Sequence, residues 1–148
     1  MLPISLTMAG IAALINIWLG MRVGEIRRRE KISVGDGNNP KLIARMRAQA
    51  NFIEYIPILL ILIALIEFSI GGGESRTGPI WLWVVGFVIM LARVAHALGM
   101  DGTFKQGRAI GTMITLAALL GLGVYAIALA TVIPYNPPTT IDNISDTE

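Results

Sequence analysis

Arg45-Met46-Arg47-Ala48-Gln49-Ala50-Asn51-Phe52-Ile53-Glu54-Tyr55-Ile56-Pro57 runs directly into the apolar stretch 58–66. Two arginines, two amides and a glutamate therefore stand at the mouth of a segment suited to hydrocarbon. Such side chains are costly at the edge of a membrane helix. They persist there when they face protein, water or a ligand rather than lipid. The run thus marks a membrane helix and the place where function concentrates. On a helix, Arg47, Asn51 and Glu54 fall at i, i+4 and i+7, which is one face. Arg45 and Gln49 lie on a neighbouring strip.

Working outward, apolar residues make up 54% of the chain and charged residues 15%. Soluble domains carry roughly one quarter charged residues. Four apolar stretches stand out: 4–21, 55–70 broken only by Glu67, 80–98 with Arg93 and His96 inside, and 109–133 without charge. Spanning a bilayer as a helix takes about 20 residues. The first two stretches are slightly short alone, but each continues into a polar helix beyond the membrane face. The chain reads as an all-α membrane protein, a single four-transmembrane-helix domain over residues 1–133. Its helices are expected at about 4–31, 40–70, 79–99 and 107–133, followed by a polar tail, 134–148.

Eight of the twelve basic residues lie between positions 21 and 52. By the positive-inside rule the loops after the first and third helices are cytoplasmic. The short loop 71–78 and both termini then lie outside. The first stretch has the length of a signal peptide but no basic segment before it. Asp36-Gly37-Asn38-Asn39-Pro40 is turn chemistry, with Asn39 as N-cap and Pro40 as first helical residue of the second helix. Pro57 removes one backbone hydrogen bond inside that helix and is expected to kink it. The tail 134–138, Pro-Tyr-Asn-Pro-Pro, stops the fourth helix and leads into a disordered end.

The absence of cysteine excludes disulfides, zinc–thiolate sites and a cysteine nucleophile. Any thiol chemistry uses a thiol supplied by a substrate. One histidine, His96, among scattered acids argues against a protein-built metal site, so none is expected. Nor is a nucleic-acid partner. Arg47, Asn51 and Glu54 together offer a cation, an amide and an anion, the mixture a zwitterionic ligand needs. Arginine pairs with a carboxylate in bidentate fashion, and Glu54 can receive an ammonium group. The plainer reading is an ion network that positions helices, with Glu54 pairing with Arg47 or Arg93. Arg93, deep in the third stretch, needs a partner, and Glu54 is the expected one. His96 reads either as a packing residue or as a donor to a ligand.

Lys105 and Arg108 mark the entry to the fourth helix. They serve as topology signals and headgroup anchors, or place a cation beside a thiol sulfur. A free thiol has a pKa of about 8.5, and each tenfold gain in thiolate is worth roughly 1.4 kcal/mol. Arginine suits this task because it stays protonated. Arg27-Arg28-Arg29 is an inside anchor that can also line an anion pocket. Glu67 is expected at the membrane interface. Gly20/Gly24 and Gly107/Gly111 are small-xxx-small pairs that favour close helix packing. Tyr55, Trp81 and Trp83 fit an aromatic belt.

The run from Arg47 to Pro57 resembles the Arg-Ala-(His/Gln)-x-Asn-x-x-Glu-x-x-Pro signature of the MAPEG family, membrane-associated proteins in eicosanoid and glutathione metabolism. Val34-Gly35-Asp36-Gly37-Asn38 resembles a loop of bacterial members, and Ala92-Arg93-Val94-Ala95-His96-Ala97-Leu98-Gly99 the third-helix motif. The resemblance implies a left-handed four-helix bundle in a homotrimer, with glutathione as co-substrate bound between adjacent subunits. It implies glutathione contacts from Arg47, Gln49, Asn51, Glu54, Tyr55 and His96, with Arg27 beside its carboxylates, and Arg108 as the thiol-activating, catalytic arginine. Met100 departs from the pattern, standing where several members have a tyrosine.

The function so implied is a membrane-bound glutathione transferase active in detoxification. It conjugates the thiolate to hydrophobic electrophiles from the bilayer, or reduces lipid hydroperoxides as a glutathione peroxidase. Its partners would be membrane lipids, hydrophobic electrophilic small molecules and further copies of itself, in a bacterial inner membrane. The competing reading is a non-catalytic trimeric membrane protein that binds lipophilic ligands or partner proteins. A small four-helix multidrug transporter fits less well, because Glu54 sits at a basic interface and the first loop is long.

Overall fold

The computed structural model describes residues 2–70 and 77–132. They form four helices, α1 (Pro3–Glu30), α2 (Pro40–Ser69), α3 (Ile80–Met100) and α4 (Gly107–Val132). Each is long and apolar enough to cross a membrane. The protein is an all-α, four-helix membrane protein. The expected disordered tail, 134–148, and most of the outer loop, 71–76, lie outside the described residues.

Local chemistry sets the helix ends. Lys31 takes a left-handed conformation (φ 54°) after α1, and its backbone N–H returns to the Arg27 carbonyl. Arg27, Arg28 and Arg29 occupy the last turn of α1, where cations complement the helix dipole. Asn39 caps α2, its Oδ1 accepting from the N–H groups of Lys41 at 3.0 Å and Leu42 at 3.1 Å. Pro40 follows in the first turn, where its missing N–H costs nothing.

The start of α1 lacks a side-chain cap of its own. Glu67, from the last turn of α2, supplies one. Its carboxylate accepts from Ile4 N at 2.9 Å, Ser5 N at 2.8 Å and Ser5 Oγ at 2.6 Å. Glu67 is 0% exposed within the chain, in a capping role that hydropathy alone does not disclose. A buried carboxylate is tolerated here because it meets otherwise unpaired backbone donors at the positive end of a helix dipole.

These bonds join the end of α2 to the start of α1. At the opposite end, Asp101 after α3 meets Arg22 of α1 and Arg45 of α2. The helices therefore alternate in direction, and the loops 31–39 and 101–106 share one end of the bundle. Ile4, Met8 and Leu19 of α1, Leu59, Ile63 and Ile66 of α2, and Leu82 and Ile89 of α3 form the main core.

Helix α4 is peripheral. Its buried residues are Gly107, Gly111, Thr115 and Leu122. The two glycines let it lie on α3: a methyl at Gly111 would sit 2.5 Å from the Ala92 carbonyl oxygen and 2.6 Å from His96 Cβ, and one at Gly107 would strike the Ala95 carbonyl. Among the described residues α4 packs on α3 and α2 and does not touch α1. Leu116, Leu120, Val124 and Ile127 point outward, as lipid or another copy of the chain as solvent requires.

Candidate functional site

At the end carrying the basic loops, α2, α3 and α4 enclose a polar cavity of about 300 Å3. Arg47, Ala50, Asn51 and Glu54 line it from α2, His96 and Met100 from α3, and Arg108 and Thr112 from α4. The face of α2 defined by 47, 51 and 54 is thus turned toward the start of α4. Arg47, Glu54 and Arg108 are exposed in the cavity, while His96 is buried beneath it.

Arg93 lies under this cavity and is 2% exposed. Its Nη1 donates to Asn51 Oδ1 at 2.7 Å and its Nη2 to the Gly111 carbonyl at 2.7 Å. Thr115 Oγ1 donates to the same carbonyl at 2.7 Å. The expected Arg93–Glu54 ion pair does not form among the described residues. Neutral acceptors receive the buried guanidinium, which spares the desolvation of a second charge. Glu54 keeps its carboxylate in the open cavity.

Five of the anticipated residues, Arg47, Asn51, Glu54, His96 and Arg108, therefore converge. Three do not. Arg27 lies on α1 in a separate cleft of about 720 Å3 with Gly20, Gly24, Arg28 and Lys31, and donates to Met46 Sδ at 3.5 Å. Gln49 packs over the same helix, 3.5 Å from where a methyl at Gly20 would stand. Tyr55 is half-buried against the main core. Arg27 and Arg108 therefore line different cavities of one chain, on helices that are not in contact among the described residues.

The sequence reading missed Thr112, one helical turn after Arg108, whose spacing was the available signal. It also missed the cluster around Asp101. There Arg45 Nη1 meets Glu25 at 2.8 Å and the Arg22 carbonyl at 2.7 Å, and Arg45 Nε meets Asp101 at 3.4 Å. Arg22 pairs with Asp101 and lies 4.4 Å over the Trp18 ring. Arg45 is thereby committed to holding α1, α2 and the α3–α4 loop together. A second polar cavity, about 320 Å3, lies beside this cluster with Lys41 and Thr103 on its wall. Met100 lines both cavities. Among the described residues no cluster of three or more His, Cys, Asp or Glu side chains could hold a metal.

The MAPEG family model matches residues 5–128, a span that contains every residue of the polar cavity. The chain belongs to the MAPEG family. It is a membrane protein of the eicosanoid and glutathione metabolism family. This MAPEG chain is 28% identical over 118 residues to inner membrane protein YecN of Escherichia coli strain K12, and equally to the protein of the same name in the O6:H1 strain CFT073. The match covers 79% of this chain and 85% of each relative.

Proposed function

We propose that this chain is a membrane-bound glutathione transferase. The convergence of Arg47, Asn51, Glu54, His96 and Arg108 on one polar cavity carries the reading. Arg47 is suited to a ligand carboxylate and Glu54 to the ammonium group. Arg108 is the permanent cation for the sulfur and acts by favouring thiolate over thiol. The thiolate then forms a C–S bond with a hydrophobic electrophile that arrives from the bilayer. Either the bond to a leaving group breaks, and the group departs with its electron pair, or the thiolate adds across an activated double bond, whose carbanion takes a proton from water. With a lipid hydroperoxide, two glutathione molecules are oxidised to the disulfide while the hydroperoxide is reduced to an alcohol and water. Holding both reactants in one site supplies much of the rate.

Assembly as a homotrimer completes the site. The placement of Arg27 and Gln49 on the α1 side, away from Arg108, supports this reading. An adjacent copy would bring its α1 face, with Arg27 and Gln49, to the cavity of its neighbour. Similarity to the inner membrane protein YecN supports a bacterial inner-membrane location, and the basic loops support cytoplasmic placement of the cavity.

The test is glutathione binding to the detergent-purified full chain, followed at 240 nm for thiolate, in wild type and Arg108→Ala. A thiolate signal present in wild type and lost in the variant, with binding retained, is expected. No binding at millimolar glutathione would overturn the enzyme reading and leave the non-catalytic ligand-binding role. Met100 in place of a tyrosine is the observation favouring that second role.

A further inference from the structure

Asn51 is the neutral side chain of the cavity whose hydrogen-bonding direction is dictated from behind. A guanidinium has five donors and no acceptor. Arg93 can therefore bind Asn51 only through the amide oxygen, as it does at 2.7 Å. The NH2 group of Asn51 must face away from Arg93, and Asn51 lines the cavity. Arg93 has little freedom to release it. It is 2% exposed, and its other arm is held by the Gly111 carbonyl, over which α3 and α4 are in backbone contact.

We propose that Arg93 is a positioning residue that locks Asn51 as a donor, so that the cavity selects an acceptor atom at this point of the ligand. Carboxylate oxygen, peptide carbonyl oxygen and thiolate sulfur satisfy that demand. An ammonium group does not, and is left to Glu54, three residues further along the same face. The inference rests on the transferase reading for the identity of the ligand. It adds which polarity the ligand must present to Asn51, and why Arg93 is buried where, among the described residues, neutral acceptors and not a carboxylate meet it.

The test uses the full chain in detergent, with Asn51→Asp and Asn51→Ala compared for thermal unfolding and glutathione affinity. Asn51→Asp keeps an acceptor for Arg93 but turns a second acceptor toward the ligand. Asn51→Ala leaves the buried guanidinium without its partner. Expected are opposite orders. Asn51→Asp melts above Asn51→Ala, yet binds glutathione about tenfold or more weakly than wild type and more weakly than Asn51→Ala. A purely structural role makes affinity follow stability, so Asn51→Asp binding as tightly as Asn51→Ala overturns the proposal. If Asn51→Ala does not fold, wild type becomes the reference, and unchanged affinity in Asn51→Asp overturns it. If wild type binds no glutathione, the transferase reading fails separately. The selection of an acceptor then falls with it, and the Arg93–Asn51 bond beneath is overturned as well if Asn51→Asp melts no higher than Asn51→Ala.

Discussion

The carboxylate of Glu67 accepts a hydrogen bond from the backbone N–H of Ile4 at 2.9 Å, across 63 positions of sequence. With the two bonds from Ser5, it ties the first turn of α1 to the last turn of α2. The start of α1, which has no cap of its own, depends on this residue.

Removing that cap should be costly. Glu67→Ala leaves backbone donors at Ile4 and Ser5 unpaired in a buried place, and is expected to lose about 1–3 kcal/mol. Glu67→Gln keeps one acceptor oxygen and should lose less. Thermal unfolding in detergent by circular dichroism gives the order. Equal melting of the alanine variant and wild type would show that the cap contributes nothing.

The α3–α4 contact makes an equally direct prediction. Gly111→Ala places a methyl 2.5 Å from the Ala92 carbonyl oxygen and 2.6 Å from His96 Cβ, against backbone that cannot give way cheaply. A destabilisation of roughly 1–3 kcal/mol is expected from such overpacking. Because α4 carries Arg108 and Thr112, any glutathione affinity should fall with it. Gly121 has nothing within 4 Å of the equivalent position, so Gly121→Ala should be neutral or slightly stabilising. The paired melting curves separate a packing effect from a general glycine effect.

Met100 stands between the two polar cavities and offers a ligand no strong hydrogen bond. Under the transferase reading, Met100→Tyr adds a phenolic hydroxyl at the wall of the thiol cavity. One added hydrogen bond of about 1 kcal/mol corresponds to roughly fivefold tighter glutathione binding. Calorimetric titration of both proteins measures it. A weaker-binding tyrosine variant would mean that the thioether is needed for shape rather than tolerated.

A chain without cysteine is ready for labelling from either side of a membrane. Ser33→Cys lies in the basic loop after α1 and Thr77→Cys just before α3, both exposed. In intact spheroplasts an impermeant maleimide should label Thr77→Cys and reach Ser33→Cys only after permeabilisation. The reverse pattern would place the polar cavity outside the cytoplasm.

Much of the fold was legible because each span announces itself locally. Asn39-Pro40 marks the start of α2, and the loop residues from Ser33 to Asn39 separate two apolar helices. The face Arg47–Asn51–Glu54 followed from helical spacing alone, and all three line the cavity. The partner of Arg93 did not follow. Glu54 and Asn51 lie on one face of α2, so spacing alone could not choose between them. The capping role of Glu67 was hidden for a related reason: nothing near it in sequence shows that the uncapped start of α1 will arrive beside it.

Hydropathy and charge by themselves determined a bundle of four membrane helices and gathered the basic residues at one end. That is possible because hydrocarbon offers no hydrogen bonds, so each span must satisfy its own backbone within its own segment. Which side chains meet was decided only by tertiary structure. Gly107 and Gly111 set how closely α4 approaches α3, and the rotation of α2 against α3 sets whether Arg93 finds an amide or a carboxylate. Among the described residues α1 and α4 are not in contact, and Arg27 and Arg108 line separate cavities. Those distances and rotations arise from packing among helices far apart in sequence, and the periodicity of a single helix carries no record of them.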